Sequence, residues 1–403
     1  MKAVMYGAGN IGRGFIGPLF RKSGYEIVFI DVAEHLIEAL NARREYPVRI
    51  VSESGHEDMT IDQVSIINGY DTNAVVNAIA DADIMATAVG VNVLKHIVPN
   101  LVAGIRKRFT VTDRSLNIII CENLLNADKY LAKMIKEKLS EAENTRFDNR
   151  IGLVEASIGR MVPVQTPEMQ DGDPLRVCVE GYSWLPVDKD AFKGEIPIID
   201  GLVPFSPFGF YIKRKLFLHN MSHAVCAYLG LYSNYQYIYE AIDDPDILII
   251  VKNAMLESAQ ALAKEYATSI ELLLPHIDDL LCRFKNSALG DTCRRVGQDP
   301  GRKLSPDDRL VGAAKLCLKY GIIPRHIAAG IAAGLYHYLT EKEEVQNTNN
   351  AAIILQTLAG FDTNNPLYSI VLDLYGLLVP GIKPRKLRNF IEKAKSAEIT
   401  NVV

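Results

Sequence analysis

Short hydrophobic runs and longer amphipathic stretches alternate through the first 150 residues of the chain. KAVMY (2 to 6), EIVFI (26 to 30), ADIMATAV (82 to 89) and LNIIIC (116 to 121) predict strands, since short apolar runs rich in branched side chains suit a sheet covered on both faces. Between them, AEHLIEALNARR (33 to 44) and NAVVNAIADA (73 to 82) repeat apolar residues at helical spacing. That alternation predicts a parallel sheet flanked by helices. The polar stretch SESGHEDMTIDQ (52 to 63) predicts a hairpin or loop insertion. IGLVEASIGRMVPV and PLRVCVEGYSWLPVD, within 151 to 190, are extended patterns expected to append strands to the same sheet.

The pattern changes after about residue 195. PIIDGLVPFSPFG is rich in Pro and Gly and reads as a connection. Helical periodicity then runs almost without a break, over 213 to 230, 245 to 266, 270 to 284, 307 to 320, 324 to 340, 349 to 358 and 386 to 397. A chain of 403 residues exceeds one ordinary core. Two domains are therefore expected, 1–194 with the sheet and 195–403 mainly helical.

Composition narrows the partners. Hydrophobic residues make up 48% and charged residues 23%, as in an ordinary globular protein, and a net charge of −4 supplies no basic field for nucleic acid. The six cysteines are scattered singly, without a CxxC pair, which predicts reduced thiols in the cytoplasm. The histidines form no HExxH or Cys/His cluster, so no metal site is expected. MKAVMYGAGNIG reaches a glycine-rich turn before a secretory h-region could form, and no run of 18 apolar residues occurs, so neither a signal peptide nor a membrane span is expected.

Gly7, Ala8, Gly9, Asn10, Ile11 and Gly12 form GAGNIG, a match to GxGxxG. Alone such a hexamer is a weak signal, but this one follows a predicted strand, opens a helical pattern through Phe15, Ile16 and Leu19, and precedes a strand ending at Asp31. Gly7 would allow a tight turn, Gly9 a close approach of backbone to pyrophosphate, and Gly12 close packing of helix on strand. The helix start would offer N–H donors to the phosphates, and Asp31 would accept from the ribose hydroxyls. Val32, Ala33, Glu34 and His35 follow, with no arginine for a 2′-phosphate, so NAD is expected rather than NADP. The fold class is therefore α/β, a Rossmann-type doubly wound and mostly parallel sheet followed by a helical domain.

KRKLFLHNMSHAVCAYLG (213 to 230) sets Lys215, Asn220 and His223 among apolar residues. At about 100° per residue, Asn220 lies roughly 140° and His223 roughly 80° around a helix from Lys215, so the three can share a face. An amine, an amide and an imidazole together suit proton transfer: a desolvated lysine gives up its proton more readily and becomes a base. Asn123, in CENLL (121 to 125), follows a strand end, where α/β sheets place ligands, although it could equally cap the next helix. RVGQDPGRK (295 to 303) is a basic loop suited to phosphate and equally to solvent.

GAGNIGRGFIG (7 to 17), CEN (121 to 123), the Lys-x4-Asn-x2-His array ending at His223 and RVGQDPGRKLSPDDRL (295 to 310) together resemble the polyol-specific long-chain dehydrogenases, the mannitol dehydrogenase-like family. AFKG (191 to 194), YLG (228 to 230) and GIAAG (330 to 334) fall in the expected order, so the resemblance covers nearly the whole chain. It implies metal-independent, NAD-linked interconversion of mannitol 1-phosphate and fructose 6-phosphate by a monomer. It also implies Lys215 as general base, Asn220 and Asn123 as the oxyanion pocket, His223 completing the substrate site, and Arg295 and Lys303 as substrate contacts. Where the family typically carries Asp-Arg, this chain has Gly159 before Arg160, which stays a substrate-binding candidate. That departure leaves room for another polyol phosphate, an unphosphorylated polyol or a hexuronate; a non-catalytic NAD-binding module is the remaining alternative.

Overall fold

The computed structural model describes residues 1–400 except Leu125 and Val164, with side chains to residue 394. Leu125 of CENLL and the last residue of IGLVEASIGRMVPV thus lie outside the described residues. The chain divides into two compact units, Met1–Tyr211 and Ile212–Val403.

The first unit contains β1 (Lys2–Tyr6), β2 (Glu26–Asp31), β3 (Tyr46–Ser52), β4 (Gly55–Ile61), β5 (Val64–Asn68), β6 (Ile84–Thr87), β7 (Leu116–Ile120), β8 (Ile151–Glu155), β9 (Val177–Val179), β10 (Leu185–Asp188) and β11 (Leu202–Phe205). Six of these form a parallel sheet in the order β5-β2-β1-β6-β7-β8. Successive side chains of a strand point to opposite faces, so both faces of β1 must be apolar for both to be covered. Ala3 and Met5 accordingly pack with Phe15 and Phe29 in one core, and Val4 and Tyr6 with Val28 and Ile79 in the other. The strand order reverses direction between β1 and β6, and ligands bind at such a switch point beyond the carboxyl ends of the strands.

The polar stretch at 52 to 63 is a hairpin arm: β3 and β4 pair antiparallel from Tyr46↔Ile61 to Ser52↔Gly55. Of the two later extended patterns, only the first joins the main sheet, as β8. The second supplies β9, which runs parallel to β3, and β10, which runs parallel to β11. β11 arises from the stretch that Pro and Gly marked as a connection. Pro186 and Pro204 are tolerated because β10 and β11 form a two-stranded sheet, where each strand is an edge. The boundary expected after residue 194 therefore falls inside the first unit.

Helices build the second unit. Met221–Tyr232 and Arg325–Glu341 are buried along most of their length, and glycines let them approach. A Cβ on Gly330 would lie 2.4 Å from Val225 Cγ2, and one on Gly334 3.2 Å from Tyr228 Cε2. Pro245–Glu265 starts where Asp244 Oδ1 accepts from the amides of Asp246 (2.8 Å) and Ile247 (3.2 Å), satisfying two donors of its first turn. The loop at 295 to 303 folds into two short helices, Cys293–Gly297 and Pro300–Lys303.

Candidate active site

In the first unit the glycine motif turns the chain from β1 into a helix. Gly7 has φ +104°, and a Cβ there would lie 2.5 Å from the Ala88 carbonyl oxygen. A Cβ on Gly12 would fall 2.0 Å from the Gly7 oxygen, so the turn closes only without side chains at these positions. Gly9 differs: nothing lies within 4 Å of a Cβ built on it, and its face of the loop is open. Asn10 is exposed and Ile11 half-buried at the helix entrance, and Ala8 is buried with its amide donating to Asp31 Oδ2 at 2.7 Å. Asp31 Oδ1 accepts from Val32 (2.7 Å) and Ala33 (3.1 Å). Three amides thus fix the carboxylate that the spacing singled out.

A cavity of about 710 Å³ opens beside this loop, lined by Gly7, Gly9, Asp31, Val32, Tyr70 and Val93 among others. Its size suits a cofactor. Among the described residues lining it there is one carboxylate, Asp31, and no lysine or arginine. Tyr70 and Val32 are 80% and 51% exposed, apolar surface that an adenine would cover. The open face at Gly9, the fixed Asp31 and the uncovered apolar wall fit a dinucleotide.

Arg13, which the sequence reading passed over, stiffens the loop. It is buried, with Nε donating to the Ala8 oxygen (2.7 Å) and Nη1 to the Leu175 oxygen (2.5 Å). Arg160, expected at the substrate, is also buried and braces the same segment: Nη1 donates to the Gly14 oxygen at 2.9 Å and the guanidinium lies 5.1 Å from the Phe15 ring centre. Beside it, a Cβ on Gly159 would meet Tyr182 Cε1 at 2.9 Å, so the tyrosine ring occupies the space a side chain at 159 would need.

Asn123 is exposed, just past β7. It does not cap the following helix, Ala127–Lys136, whose N-cap is Asn126. Its neighbour Glu122 is buried, takes the Thr87 hydroxyl at 2.8 Å and the Val89 amide at 3.1 Å, and so ties the ends of β6 and β7 together. Burial raises its carboxyl above the usual range.

In the second unit the helical pattern at 213 to 230 is interrupted. Lys215–Asn220 is a π-turn, between Gly209–Arg214 and Met221–Tyr232. A π-turn closes on the fifth residue, not the fourth, so Asn220 lies nearer to Lys215 around the axis than the 140° a regular helix would give. His223, three residues further, stays on that side. The widened turn needs outside partners for its carbonyls. Ser258 Oγ donates to the Phe217 oxygen at 2.6 Å and Ser222 Oγ to the His219 oxygen at 3.0 Å, both serines being fully buried.

His223 is held on two sides. Its ring stacks on Phe284 at 4.7 Å and 16°, and Nε2 lies 3.2 Å from Asp291 Oδ2. Asp291 Oδ1 accepts from Arg295 Nε at 2.7 Å and pairs with Nη2 at 2.6 Å. Burial would raise the Asp291 carboxyl, but His223 and Arg295 outweigh it and hold it below the usual range. Asp291 therefore joins two predicted residues, and its place four before Arg295 was a readable signal. Lys303 is not brought to them. It is buried, its ammonium donates to the carbonyls of Val296 (2.6 Å) and Gln298, and burial with Arg309 and Arg302 nearby pulls it to about 8. The sequence reading also missed His219, buried within the π-turn and pushed well below the usual histidine range by burial and by Arg283, His223, His276 and Lys215.

Comparison with known proteins agrees with this division. Residues 1–201 match the family described as mannitol dehydrogenase Rossmann domain, and residues 209–357 that described as mannitol dehydrogenase C-terminal domain. The mannitol-1-phosphate 5-dehydrogenase of Bacillus subtilis (strain 168) is 38% identical over 379 residues, 92% of this chain and 99% of that protein. The enzyme of the same name from Brevibacillus brevis is 39% identical over 369 residues, covering 92% and 93%. Among solved structures, D-sorbitol dehydrogenase in substrate-free form superposes with a TM-score of 0.81 at 16% identity, covering 95% of this chain and 94% of that one. Pseudomonas fluorescens mannitol 2-dehydrogenase, a ternary complex with NAD and D-mannitol, gives 0.72 at 14%, covering 98% and 94%; at such identities both show the fold alone. By its two matched domains and by relatives that align almost end to end, the chain belongs to the mannitol dehydrogenase family.

Proposed function

We propose that this chain is an NAD-dependent oxidoreductase that interconverts mannitol 1-phosphate and fructose 6-phosphate without a metal. The reading is carried by the π-turn that lines up Lys215 and Asn220 with His223, beside relatives of 38–39% identity that bear the name mannitol-1-phosphate 5-dehydrogenase. NAD, when bound, takes up the hydride in the oxidative direction and returns it in the reductive one. The residues of the chain do the rest. Gly7, Gly9 and Gly12 keep the loop bare for the pyrophosphate, and Asp31 takes the ribose hydroxyls on the lone pairs that its three amides leave.

Lys215 removes the hydroxyl proton of the polyol as the carbon loses hydride, and returns it to the ketose oxygen in reduction. Asn220 and Asn123 donate to the developing alkoxide. His223 holds a substrate hydroxyl, and Asp291 fixes the tilt of its ring as the third group of a nucleophile–base array would. Arg295, drawn onto Asp291, steadies this arrangement. The scattered free cysteines support a cytoplasmic location, and we expect a monomer.

Loss of NADH absorbance at 340 nm with fructose 6-phosphate and with fructose, repeated with NADPH, tests the reading. Oxidation of NADH by the phosphorylated ketose supports it. Turnover of fructose alone would move the substrate to an unphosphorylated polyol, and NADH binding without turnover of either would leave a binding module.

A further inference from the structure

We infer that Glu265 is a positioning residue for the proposed reaction: its carboxylate ties Lys213, two residues before Lys215, to the helix Pro245–Glu265 and so fixes the segment that carries the base. The inference rests on the proposed function, in which Lys215 moves the hydroxyl proton. Lys215 stands at the first position of the π-turn, and a widened turn leaves the base only as steady as the chain on either side of it. On the far side, Ser258 of the same helix donates to the Phe217 oxygen, two residues after Lys215. One helix therefore grips the chain before and after the base.

The spacing of the grip is regular. Ser258 and Glu265 are seven residues apart, two turns along one face and about 10 Å along the axis. Lys213 and Phe217 are four apart, about 6 Å at a helical rise, and the long lysine side chain spans the difference. The earlier residue of each segment meets the later residue of the other, so the two run antiparallel. The helix is itself anchored. Glu257, next to Ser258, accepts from the His326 amide (3.0 Å, Oε1) and the Ile327 amide (3.1 Å, Oε2) at the start of Arg325–Glu341, and Lys264 Nζ donates to the Tyr320 oxygen at 3.1 Å.

Glu265 gathers three donors. Oε1 accepts from Lys213 Nζ at 2.5 Å, and Oε2 from Lys319 Nζ at 2.6 Å and the Tyr320 hydroxyl at 2.7 Å. The Lys213 ammonium also lies 5.5 Å from the ring centre of Tyr266, the next residue. The three donors hold the Glu265 carboxyl down to about 2, so it stays an anion. A glutamate at the last position of a helix faces the negative end of the macrodipole, which disfavours it there, and such a departure from local preference marks a residue kept for its contacts. A lone exposed ion pair would fix little. Here the carboxylate is only 14% exposed and its donors converge from separate segments, which confines the lysine to one place.

The test uses the full chain, with kcat and KM for fructose 6-phosphate under saturating NADH and, separately, hydrogen exchange of the amides of residues 213 to 220 without substrate. In Glu265→Gln, kcat should fall about ten- to a hundredfold with KM little changed, and those amides should exchange faster. Lys213→Met should reproduce both effects, the double variant should lose no more than either alone, and Lys213→Arg, which keeps a charged donor, should recover most of kcat. Lys319→Gln takes a bond from the same carboxylate but leaves Lys213 on Oε1, so it should keep kcat; a merely structural Glu265 would treat the two lysines alike. Should Glu265→Gln fail to fold, Lys213→Met and Lys213→Arg carry the test from a more exposed position. Unchanged kcat or unchanged exchange in either single variant, losses that multiply in the double variant, or an equal loss of kcat in Lys319→Gln overturns the positioning role. A wild type that reduces neither fructose 6-phosphate nor fructose refutes the reaction and with it the role of Glu265 in turnover, even where faster exchange in Glu265→Gln upholds the anchor; an active wild type whose kcat is indifferent to Lys213 and Glu265 keeps the reaction and refutes the role.

Discussion

Lys215 concentrates the chemistry at the scale of single residues. Lys215→Ala should cut turnover about 10²–10⁴-fold with the melting temperature unchanged, and an active variant would move the base elsewhere. His276 tests the electrostatics separately. Burial, with Arg214 and Arg283 nearby, lowers it from 6.5 to about 3. Below the ordinary histidine value the unfolded chain takes up a proton that the folded chain refuses, so this group costs stability as pH falls from about 6.5 toward 3. His276→Gln removes the cost. Urea unfolding at pH 7 and at pH 4.5 should show the wild type losing about 2 kcal/mol more than the variant over that interval. Equal losses would mean that His276 is protonated in the fold.

At the scale of elements, the π-turn and its serines form one device. Ser258→Ala leaves the Phe217 carbonyl buried without its hydroxyl donor, at a cost of about 1–3 kcal/mol in urea unfolding. Because that carbonyl belongs to the turn carrying Lys215 and Asn220, kcat should drop with KM little changed, and Ser258→Thr, which keeps a hydroxyl, should recover most of it. Loss of stability without loss of kcat would make Ser258 a packing residue only. This device was hidden in the sequence, since KLFLHN has the apolar spacing of an ordinary helix and nothing in it counts the extra residue. Other elements were missed for simpler reasons. VSIIN, now β5, is too short to separate from its flanks, Val91–Val111 contains Pro99 and Gly104, and Pro366–Leu378 is so apolar that it shows little periodicity. Strands β1, β2 and β7 were legible because their apolar runs are unbroken and end in turn residues or polar groups.

The whole molecule divides its labour, and cofactor binding reads out one half of it. NADH should raise the melting temperature in step with its concentration, by about 2.7 kcal/mol of stability at a hundredfold excess over Kd. NADPH should do so far less, since the 2′-phosphate would meet Asp31 in a cavity without a described lysine or arginine. Equal shifts would overturn the cofactor preference. At this scale the sequence was most informative, because a glycine motif, its distal carboxylate and a change from alternating to helical periodicity are local signals with long-range meaning. Contacts between distant segments were not: Asp291 on His223, Ser258 on Phe217 and Arg160 on Gly14 join residues 35 or more positions apart, and no single-sequence pattern links them.

The π-turn also makes catalysis a matter of counting. A π-turn holds one residue more than the α-helical turn it replaces, so removing any one of Phe217, Leu218 and His219 would let the segment close as an ordinary helix. The downstream helix would keep its own hydrogen bonds, and Lys215, Asn220 and His223 would then stand at i, i+4 and i+7, the spacing that holds three residues on one face of a regular helix. A single-codon deletion could then yield a folded protein that still binds NADH and still performs the proton transfer, because the π-turn takes up one residue without turning the proposed relay away from its face.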